Sequence, residues 1–216
     1  NNNETEAYET LRLMDTGPHF KIQADVSNPS SLMKMTDRIF EETGQIDILV
    51  NNAGIFEDHP SWKVNFDKWQ NVWQDTIDTN LIGPANLMYL VSNQMIKNGG
   101  GKIINITSRG AFRGEPEAPA YGASKAGLNS LSQSMAKALA PYKVFVYAVA
   151  PGFVETDMAK PFMQEDQGAE IMNQSPLKRI AKPEEIAQTI VFLASEGNEF
   201  LTGAIIDING ASYLRS

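Results

Sequence analysis

A serine, a tyrosine and a lysine lie within one short stretch of the sequence, from Ser108 to Lys125. Tyr121 and Lys125 are four positions apart, so on a helix their side chains rise from one face, one turn from each other. Ser108 ends the segment KIINITS, whose β-branched residues predict a buried strand. Ser108 is therefore expected at the carboxyl end of a strand, where open α/β sheets bind their ligands.

This grouping predicts general acid–base catalysis by the tyrosine. A tyrosine hydroxyl has a pKa of about 10 in a model peptide, too high for ready proton exchange at neutral pH. The ammonium of Lys125 is expected to lower the pKa of Tyr121, and a decrease of about three units corresponds to roughly 4 kcal/mol. Ser108 would hydrogen-bond the oxygen of a bound carbonyl or alcohol beside the tyrosine. The bare motif is also typical of an aromatic residue and a solvated cation on a helix.

The composition excludes several kinds of site. The net charge is −8 and there is no basic cluster, so the sequence predicts no binding of nucleic acid. There is no cysteine, which excludes disulfides and thiolate sites. The two histidines, His19 and His59, stand far apart in the sequence, and we expect no metal site.

The sequence also indicates where the protein resides. No apolar run approaches the roughly 18 residues that a membrane-spanning helix needs, so no membrane partner is expected. The first residues, NNNETEAYE, are polar and acidic, unlike a secretory signal. The absence of cysteine suits the reducing cytoplasm, and we expect a soluble, cytoplasmic protein.

Strands and helices alternate along the chain, which predicts an α/β fold. The predicted strands span residues 20–26, 46–50, 102–108, 143–149 and 203–208. The predicted helices span residues 4–14, 30–43, 67–97, 121–139 and 183–195. Residues 153–182, which we name the flap, form a long segment with weak helical patterns. The pattern predicts a doubly wound parallel sheet with helices on both faces, in one domain spanning residues 1–216.

With these elements placed, the chain resembles the single-domain branch of the short-chain dehydrogenase/reductase family, and within it the 3-oxoacyl-carrier-protein reductase-like group. The resemblance covers nearly the whole sequence and is carried by Asn-Asn-Ala-Gly from Asn51, by Ser108, by Tyr-x-x-x-Lys and by PGFVETDM from Pro151. It implies a Rossmann-like dinucleotide-binding fold. It also implies an oxidoreductase that transfers hydride between a nicotinamide cofactor, NADP or NAD, and a carbonyl or alcohol substrate.

The resemblance further implies roles for individual residues. The implied catalytic residues are Asn80, Ser108, Tyr121 and Lys125. The implied cofactor-binding residues are Asp25, Val26, Asn51, Ala53, Gly54, Tyr121, Lys125, Pro151, Gly152, Val154 and Thr156. In the family the asparagine that corresponds to Asn80 holds a water, and this water links the lysine that corresponds to Lys125 to solvent. Pro84 lacks an N–H donor, so we expect it to disturb the helix near Asn80.

The front of the sequence departs from the family's pattern. The family begins with a strand, a Gly-x-x-x-Gly-x-Gly loop that binds the cofactor pyrophosphate, a helix and a second strand, and none is present here. The two strands normally lie between those of Asp25 and Val50, so we expect an upstream segment to be missing, and a sheet with a gap in its middle and exposed edges on both sides of the gap. Asn1–Asn3 offer no acid for a ribose hydroxyl, which favours NADP slightly over NAD.

Several alternatives stay open. The substrate is expected to be a 3-oxoacyl thioester, but sugar and polyol dehydrogenases share the same motifs, and an idle nucleotide-binding or scaffold protein is a third hypothesis. Arg109 and Arg113 either bind an acidic substrate or a phosphopantetheine arm, or are solvated loop charges. A homotetramer or homodimer is expected, and Leu128, Leu131 and Met135 serve either that interface or the core.

Overall fold

Four parallel strands form one sheet within the residues that this computed structural model describes, 4–163 and 165–215. They are β1 (Ile48–Asn51), β2 (Gly101–Ile106), β3 (Val144–Pro151) and β4 (Ile205–Ile208), adjacent in that order. Because all three pairings are parallel, the carboxyl ends of the strands lie at one edge of the sheet.

Helices connect the strands and cover both faces of the sheet. The α-helices are α1 (Glu4–Leu13), α2 (Pro29–Thr43), α3 (Phe66–Ile77), α4 (Gly83–Lys97), α5 (Gly110–Arg113), α6 (Pro119–Leu139), α7 (Glu165–Asn173) and α8 (Pro183–Ala194). A π-helical turn at Asp78–Ile82 joins α3 to α4, and 3₁₀ turns lie at Ala140–Tyr142, Lys160–Met163 and Glu199–Leu201. Within the described ranges, none of the helices combines the length and apolarity needed to cross a bilayer.

The core has two layers, one on each face of the sheet. Neighbouring side chains of a strand point to opposite faces, and Ile103 of β2 packs with α4 and α6 while Ile104 packs with α8. The same alternation places Val146 in the first cluster and Tyr147 in the second. Such strands, covered on both sides, are continuous apolar runs, which is how β2 and β3 read in the sequence. The predicted doubly wound α/β fold is confirmed.

One predicted strand is wrong. Residues 20–26 form no ladder with any strand of the described structure. An apolar alternating segment becomes a strand only when a neighbour supplies hydrogen-bond partners, and β1 pairs on one side only, with β2. The edge of β1 is open, and Ile48 and Val50 are 45% and 39% exposed. This agrees with the expected exposed edge on the side of β1, whereas the expected second edge is absent, since residues 20–26 form no strand.

The predicted helix at residues 67–97 is divided into two. Asn65 caps its beginning, because the Asn65 side chain accepts a 2.9 Å bond from the N–H of Lys68. At the π-helical turn the N–H of Gly83 donates to the carbonyl of Asp78. The expected disturbance near Asn80 is confirmed.

Small residues are needed at this turn. A Cβ on Gly83 would lie 2.5 Å from the carbonyl oxygen of Val26, so the backbone of the 20–26 segment packs directly on the turn. Pro84 follows and has no N–H to donate to the Asn80 carbonyl. Asn80 therefore lies in the π-helical turn between α3 and α4.

The three apolar residues of α6 that the sequence left undecided belong to the core. Leu128 is buried against α4 and β3, and Leu131 and Met135 pack on the same cluster. All three side chains therefore make packing contacts within the chain.

Candidate active site

Ser108 and Tyr121 meet at the carboxyl edge of the sheet. Ser108 lies just beyond β2, and its Oγ accepts a 3.0 Å bond from the N–H of Gly110. Tyr121 lies in the first turn of α6, which begins with Pro119, and its hydroxyl is close enough to that of Ser108 for the serine to lower the pKa of Tyr121. The ring of Phe56 packs edge-on against the Tyr121 ring, with 4.9 Å between centroids. The Tyr121 hydroxyl thus lies beside Ser108, and the apolar ring of Phe56 covers part of the Tyr121 ring.

Lys125 is the buried cation of this cluster. It follows Tyr121 by one helical turn, and its Nζ lies 5.7 Å from the centroid of the Tyr121 ring. Nζ donates a 2.8 Å bond to the carbonyl of Ile106, the last residue of β2. No ion pair joins it to a carboxylate in the described residues. Burial therefore lowers the pKa of Lys125 to about 8.

The expected decrease in the pKa of Tyr121 is wrong for this structure. Burial raises the pKa of Tyr121, the hydrogen bond with Ser108 lowers it, and the charge of Glu115 raises it. The physical reason is that the phenolate is poorly solvated here. The ammonium that was expected to stabilise it is directed at the Ile106 carbonyl and is itself disfavoured by burial.

Asn80 holds the loop that follows β1. Its Oδ1 accepts a 2.8 Å bond from the N–H of Ile55, and its Nδ2 donates a 2.9 Å bond to the Ile55 carbonyl. Nδ2 also lies 3.2 Å from Oγ of Ser124 on α6. A Cβ on Gly54 would lie 3.3 Å from Oδ1 of Asn80 and 3.4 Å from Nζ of Lys125. The structure therefore brings all four implied catalytic residues to one place.

Comparison with known families fits this geometry. The model of the family described as Enoyl-(Acyl carrier protein) reductase matches residues 1–211. The 3-oxoacyl-(acyl-carrier-protein) reductase FabG of Staphylococcus epidermidis is 37% identical over 195 residues, which cover 90% of this chain and 78% of that protein. This chain belongs to the short-chain dehydrogenase/reductase family. It is an oxidoreductase acting on a small-molecule substrate.

Solved structures of short-chain dehydrogenase/reductase type share the fold. A gluconate 5-dehydrogenase from Burkholderia cenocepacia, in complex with NADP and tartrate, superposes with a TM-score of 0.81 at 29% identity, covering 87% of this chain and 72% of that one. A short-chain type dehydrogenase/reductase from Mycobacterium ulcerans gives a TM-score of 0.81 at 26% identity, covering 88% and 68%. Both likenesses support the predicted Rossmann-like architecture.

Four of the residues to which the resemblance assigns cofactor binding lie at or after the carboxyl end of β3. Pro151 ends β3 and its carbonyl accepts a 2.9 Å bond from the N–H of Arg109, while the N–H of Gly152 donates to Ile208. Val154 forms a parallel bridge with Ala181, which joins the two ends of the flap. Thr156 is exposed on the flap, and its hydroxyl lies 3.4 Å from the Val154 carbonyl.

The residues at the end of β1 and in the loop after it differ in burial. Asn51 is buried, and its Nδ2 donates a 2.7 Å bond to Oδ1 of Asn105 on β2, so this side chain ties two strands together. Ala53 is exposed and Gly54 borders Lys125. The buried polar link through Asn105 was missed from the sequence, because an asparagine within an apolar run gives no sign of its partner.

Asp25 and Val26 stand on the segment that leads into α2. The Asp25 carboxylate accepts 2.9 and 2.7 Å bonds from the N–H and hydroxyl of Ser27, and these bonds lower its pKa. Asp25 remains exposed and Val26 is half-buried with its carbonyl against Gly83. Asn1–Asn3, which favoured NADP in the sequence, lie outside the described residues.

His59 is a positioning residue that sequence reasoning missed. It is fully buried; its Nδ1 lies 2.7 Å from the Glu57 carbonyl and its Nε2 lies 3.2 Å from the N–H of Ala120. A carbonyl only accepts, so Nδ1 carries the proton and Nε2 accepts from Ala120. His59 therefore satisfies one free N–H of the first turn of α6, directly before Tyr121. Among the described residues there is no cluster of His, Asp and Glu suited to a metal ion.

Proposed function

We propose that the protein interconverts a ketone and a secondary alcohol, with NADP as its nicotinamide cofactor and a 3-oxoacyl thioester as the ketone. The observation that carries this is the nearness of the Tyr121 side chain to Ser108, with Lys125 one turn away, at the carboxyl edge of the sheet. The names of the relatives support both choices, because they include 3-oxoacyl-(acyl-carrier-protein) reductases and an NADP complex.

In this proposal Ser108 and Tyr121 act on the same substrate oxygen. The Ser108 hydroxyl orients that oxygen and stabilises its developing charge. Tyr121 donates its proton to the oxygen in reduction and removes it in oxidation. Lys125 keeps a positive charge close to the phenol, and Asn80 holds the loop beside Lys125 through Ile55.

The described residues fit the nicotinamide end of the cofactor. Gly54 has no side chain and borders Lys125, and Pro151 and Gly152 lie at the carboxyl end of β3. NADP, when bound, supplies or accepts the hydride. The proposed cofactor-binding residues are Asp25, Val26, Asn51, Ala53, Gly54, Tyr121, Lys125, Pro151, Gly152, Val154 and Thr156.

A sugar or polyol dehydrogenase is the second candidate, favoured by the likeness to the gluconate 5-dehydrogenase structure. An idle nucleotide-binding or scaffold protein is opposed by the assembled Ser108, Tyr121 and Lys125 cluster, which such a protein does not need. We also propose a single domain, a cytoplasmic location, no nucleic-acid partner and a homotetrameric or homodimeric assembly. Light scattering that gives a monomer mass would contradict that assembly.

The test is turnover of a substrate panel by the parent and by Tyr121→Phe, followed at the nicotinamide absorbance. The panel contains 3-oxoacyl thioesters, gluconate and small polyols, each with NADP or NAD. Loss of the acid is expected to lower turnover by about 10²- to 10⁴-fold. Tyr142→Phe, at an exposed tyrosine, is the control and should retain activity. Turnover by Tyr121→Phe within about tenfold of the parent would show that this tyrosine is not the acid.

A further inference from the structure

A cavity of about 220 Å³ lies between the flap and the loop after β4. Its walls are mainly apolar and include Phe153, Ile171, Leu177, Ile180 and Ile208. Ser108, Tyr121 and Lys125 are not among its lining residues. The cavity is therefore separate from the Ser108–Tyr121–Lys125 cluster, although Arg109, the residue after the serine, forms part of its wall.

Arg109 brings a buried charge to this apolar space. It is 4% exposed, and its guanidinium donates to the side-chain oxygens of Ser212 and Gln174. The plane of the Phe153 ring lies near it, with 5.0 Å between Cζ and the ring centroid. A guanidinium has five N–H donors, and these two acceptors are both neutral. The positive charge of Arg109 is thus held in place without being neutralised by its hydrogen-bond partners.

No carboxylate forms an ion pair with Arg109 in the described ranges 4–163 and 165–215. Arg113 shares the Gln174 oxygen at 3.1 Å and adds a second positive charge. The other cation of the lining, Arg179, is already neutralised by a bidentate pair with Glu185, at 2.7 Å for each bond. Glu115 offsets one of the two charges of Arg109 and Arg113, and Arg179 and Glu185 offset each other, so the groups around the cavity leave a net positive charge.

Burial and Arg113 lower the pKa of Arg109 to about 10, although the charge of Glu115 opposes them, so the guanidinium stays charged at neutral pH. Glu115 acts on Arg109 as an opposite charge but forms no ion pair with it, so the buried guanidinium remains costly, and an anion that enters the cavity lowers that cost. Guanidinium groups bind carboxylates through paired, charge-assisted hydrogen bonds. The apolar walls favour an anion with an apolar body over a fully hydrated one.

We propose that this cavity is an anion-binding site for a small carboxylate with an apolar body, bound through Arg109. An apolar cavity of about 150 Å³ holds benzene. The volume of about 220 Å³ has room for that ring with a carboxylate attached. Benzoate is therefore a suitable probe, and benzamide has nearly the same shape without the charge.

The experiment is calorimetric titration at pH 7 of the protein with benzoate, benzamide and inorganic phosphate. Benzoate is expected to bind at least about tenfold more tightly than benzamide, because a charge-assisted pair with guanidinium replaces a neutral contact. Phosphate is expected to bind more weakly than benzoate. Equal affinity for benzoate and benzamide, or tighter binding of phosphate, overturns the proposal.

Two variants locate the site. Gln174→Glu keeps the shape of the side chain that already contacts Arg109 and places a carboxylate there, so it should abolish benzoate binding. Arg109→Gln should weaken benzoate by at least about tenfold, and Arg113→Gln, at the exposed neighbour, should weaken it less. Benzoate binding by Gln174→Glu at the parent affinity overturns the proposal, as does a crystal structure with benzoate at Ser108. Since binding is measured without turnover, failure here leaves the Tyr121 test untouched.

Discussion

Nζ of Lys125 donates a 2.8 Å hydrogen bond to the carbonyl oxygen of Ile106, so a buried amine is held by a neutral acceptor. The bond fixes the direction of the amine at the carboxyl edge of β2. It does not repay the loss of hydration of an ammonium, and the pKa of Lys125 falls to about 8. The buried ammonium of Lys125 therefore lowers the stability of the folded protein, by an amount that depends on pH.

Lys125→Met tests this cost through the pH dependence of unfolding. Below pH 8 both folded and unfolded parent chains carry the proton, so the folded state bears the full penalty. As pH rises from about 8 towards 10.5, only the unfolded chain keeps the proton, and the parent gains stability. The parent-minus-variant difference in unfolding free energy should rise by up to about 3 kcal/mol across this window.

Urea titrations at several pH values measure that difference. Lys137→Met, at an exposed lysine of the same helix, is the matched control and should give a difference that stays nearly constant with pH. A flat difference for Lys125→Met would show that the amine is not desolvated in solution.

Glu115 is expected to tune the proton transfer at Tyr121. Its charge raises the pKa of Tyr121, and Arg113 and Arg109 oppose the burial that raises the pKa of Glu115 itself. Removing the charge in Glu115→Gln should lower the pKa of Tyr121. Alcohol oxidation needs the phenolate, so the acidic limb of kcat/KM against pH should move to lower pH. Glu117→Gln, two residues on and exposed, should leave the limb in place; movement to higher pH for Glu115→Gln would contradict the assignment.

Gly54→Ala is expected to disturb the site without unfolding the protein. The added methyl would meet Oδ1 of Asn80 at 3.3 Å, which is a tight contact, and Nζ of Lys125 at 3.4 Å, at the limit of ordinary contact, and both side chains are buried. A shift of Lys125 by a fraction of an ångström should lower turnover roughly tenfold or more. The unfolding free energy, measured alongside, should change by less than about 1 kcal/mol. Unchanged turnover would mean that the Lys125 amine is not positioned through this contact.

The sequence was sufficient where a feature depends on local pattern. The β-branched runs of β2 and β3 are apolar on both sides, so they predict strands buried under two helical layers, and the order of strand ends then brings Ser108 to Tyr121. Residues 20–26 show the same kind of pattern, yet they form no strand, since the outcome depends on a neighbouring strand and not on the segment itself.

The electrostatics of the site could not be predicted in the same way. A lysine one helical turn from a tyrosine predicts a lowered tyrosine pKa only if burial does not outweigh the attraction between the two charges. Here burial raises the pKa of Tyr121 and lowers that of Lys125. His59 gave no signal either, because a buried histidine that accepts from a helix N–H has no characteristic spacing in sequence. Both properties arise from packing between segments that are distant in the chain.

Asn80→Ala separates the structural part of this asparagine from any role in proton transfer. The variant loses both bonds to the Ile55 backbone and leaves that N–H and carbonyl without their partner. Stability should fall by about 2–4 kcal/mol in urea unfolding, and the amide of Ile55 should exchange with solvent much faster. Asn93→Ala removes one exposed bond, to the Tyr89 carbonyl, and should cost less than about 1 kcal/mol. If Asn80→Ala lowers turnover while stability and Ile55 exchange match the parent, the loop is not what Asn80 holds, and its amide acts on the proton path instead.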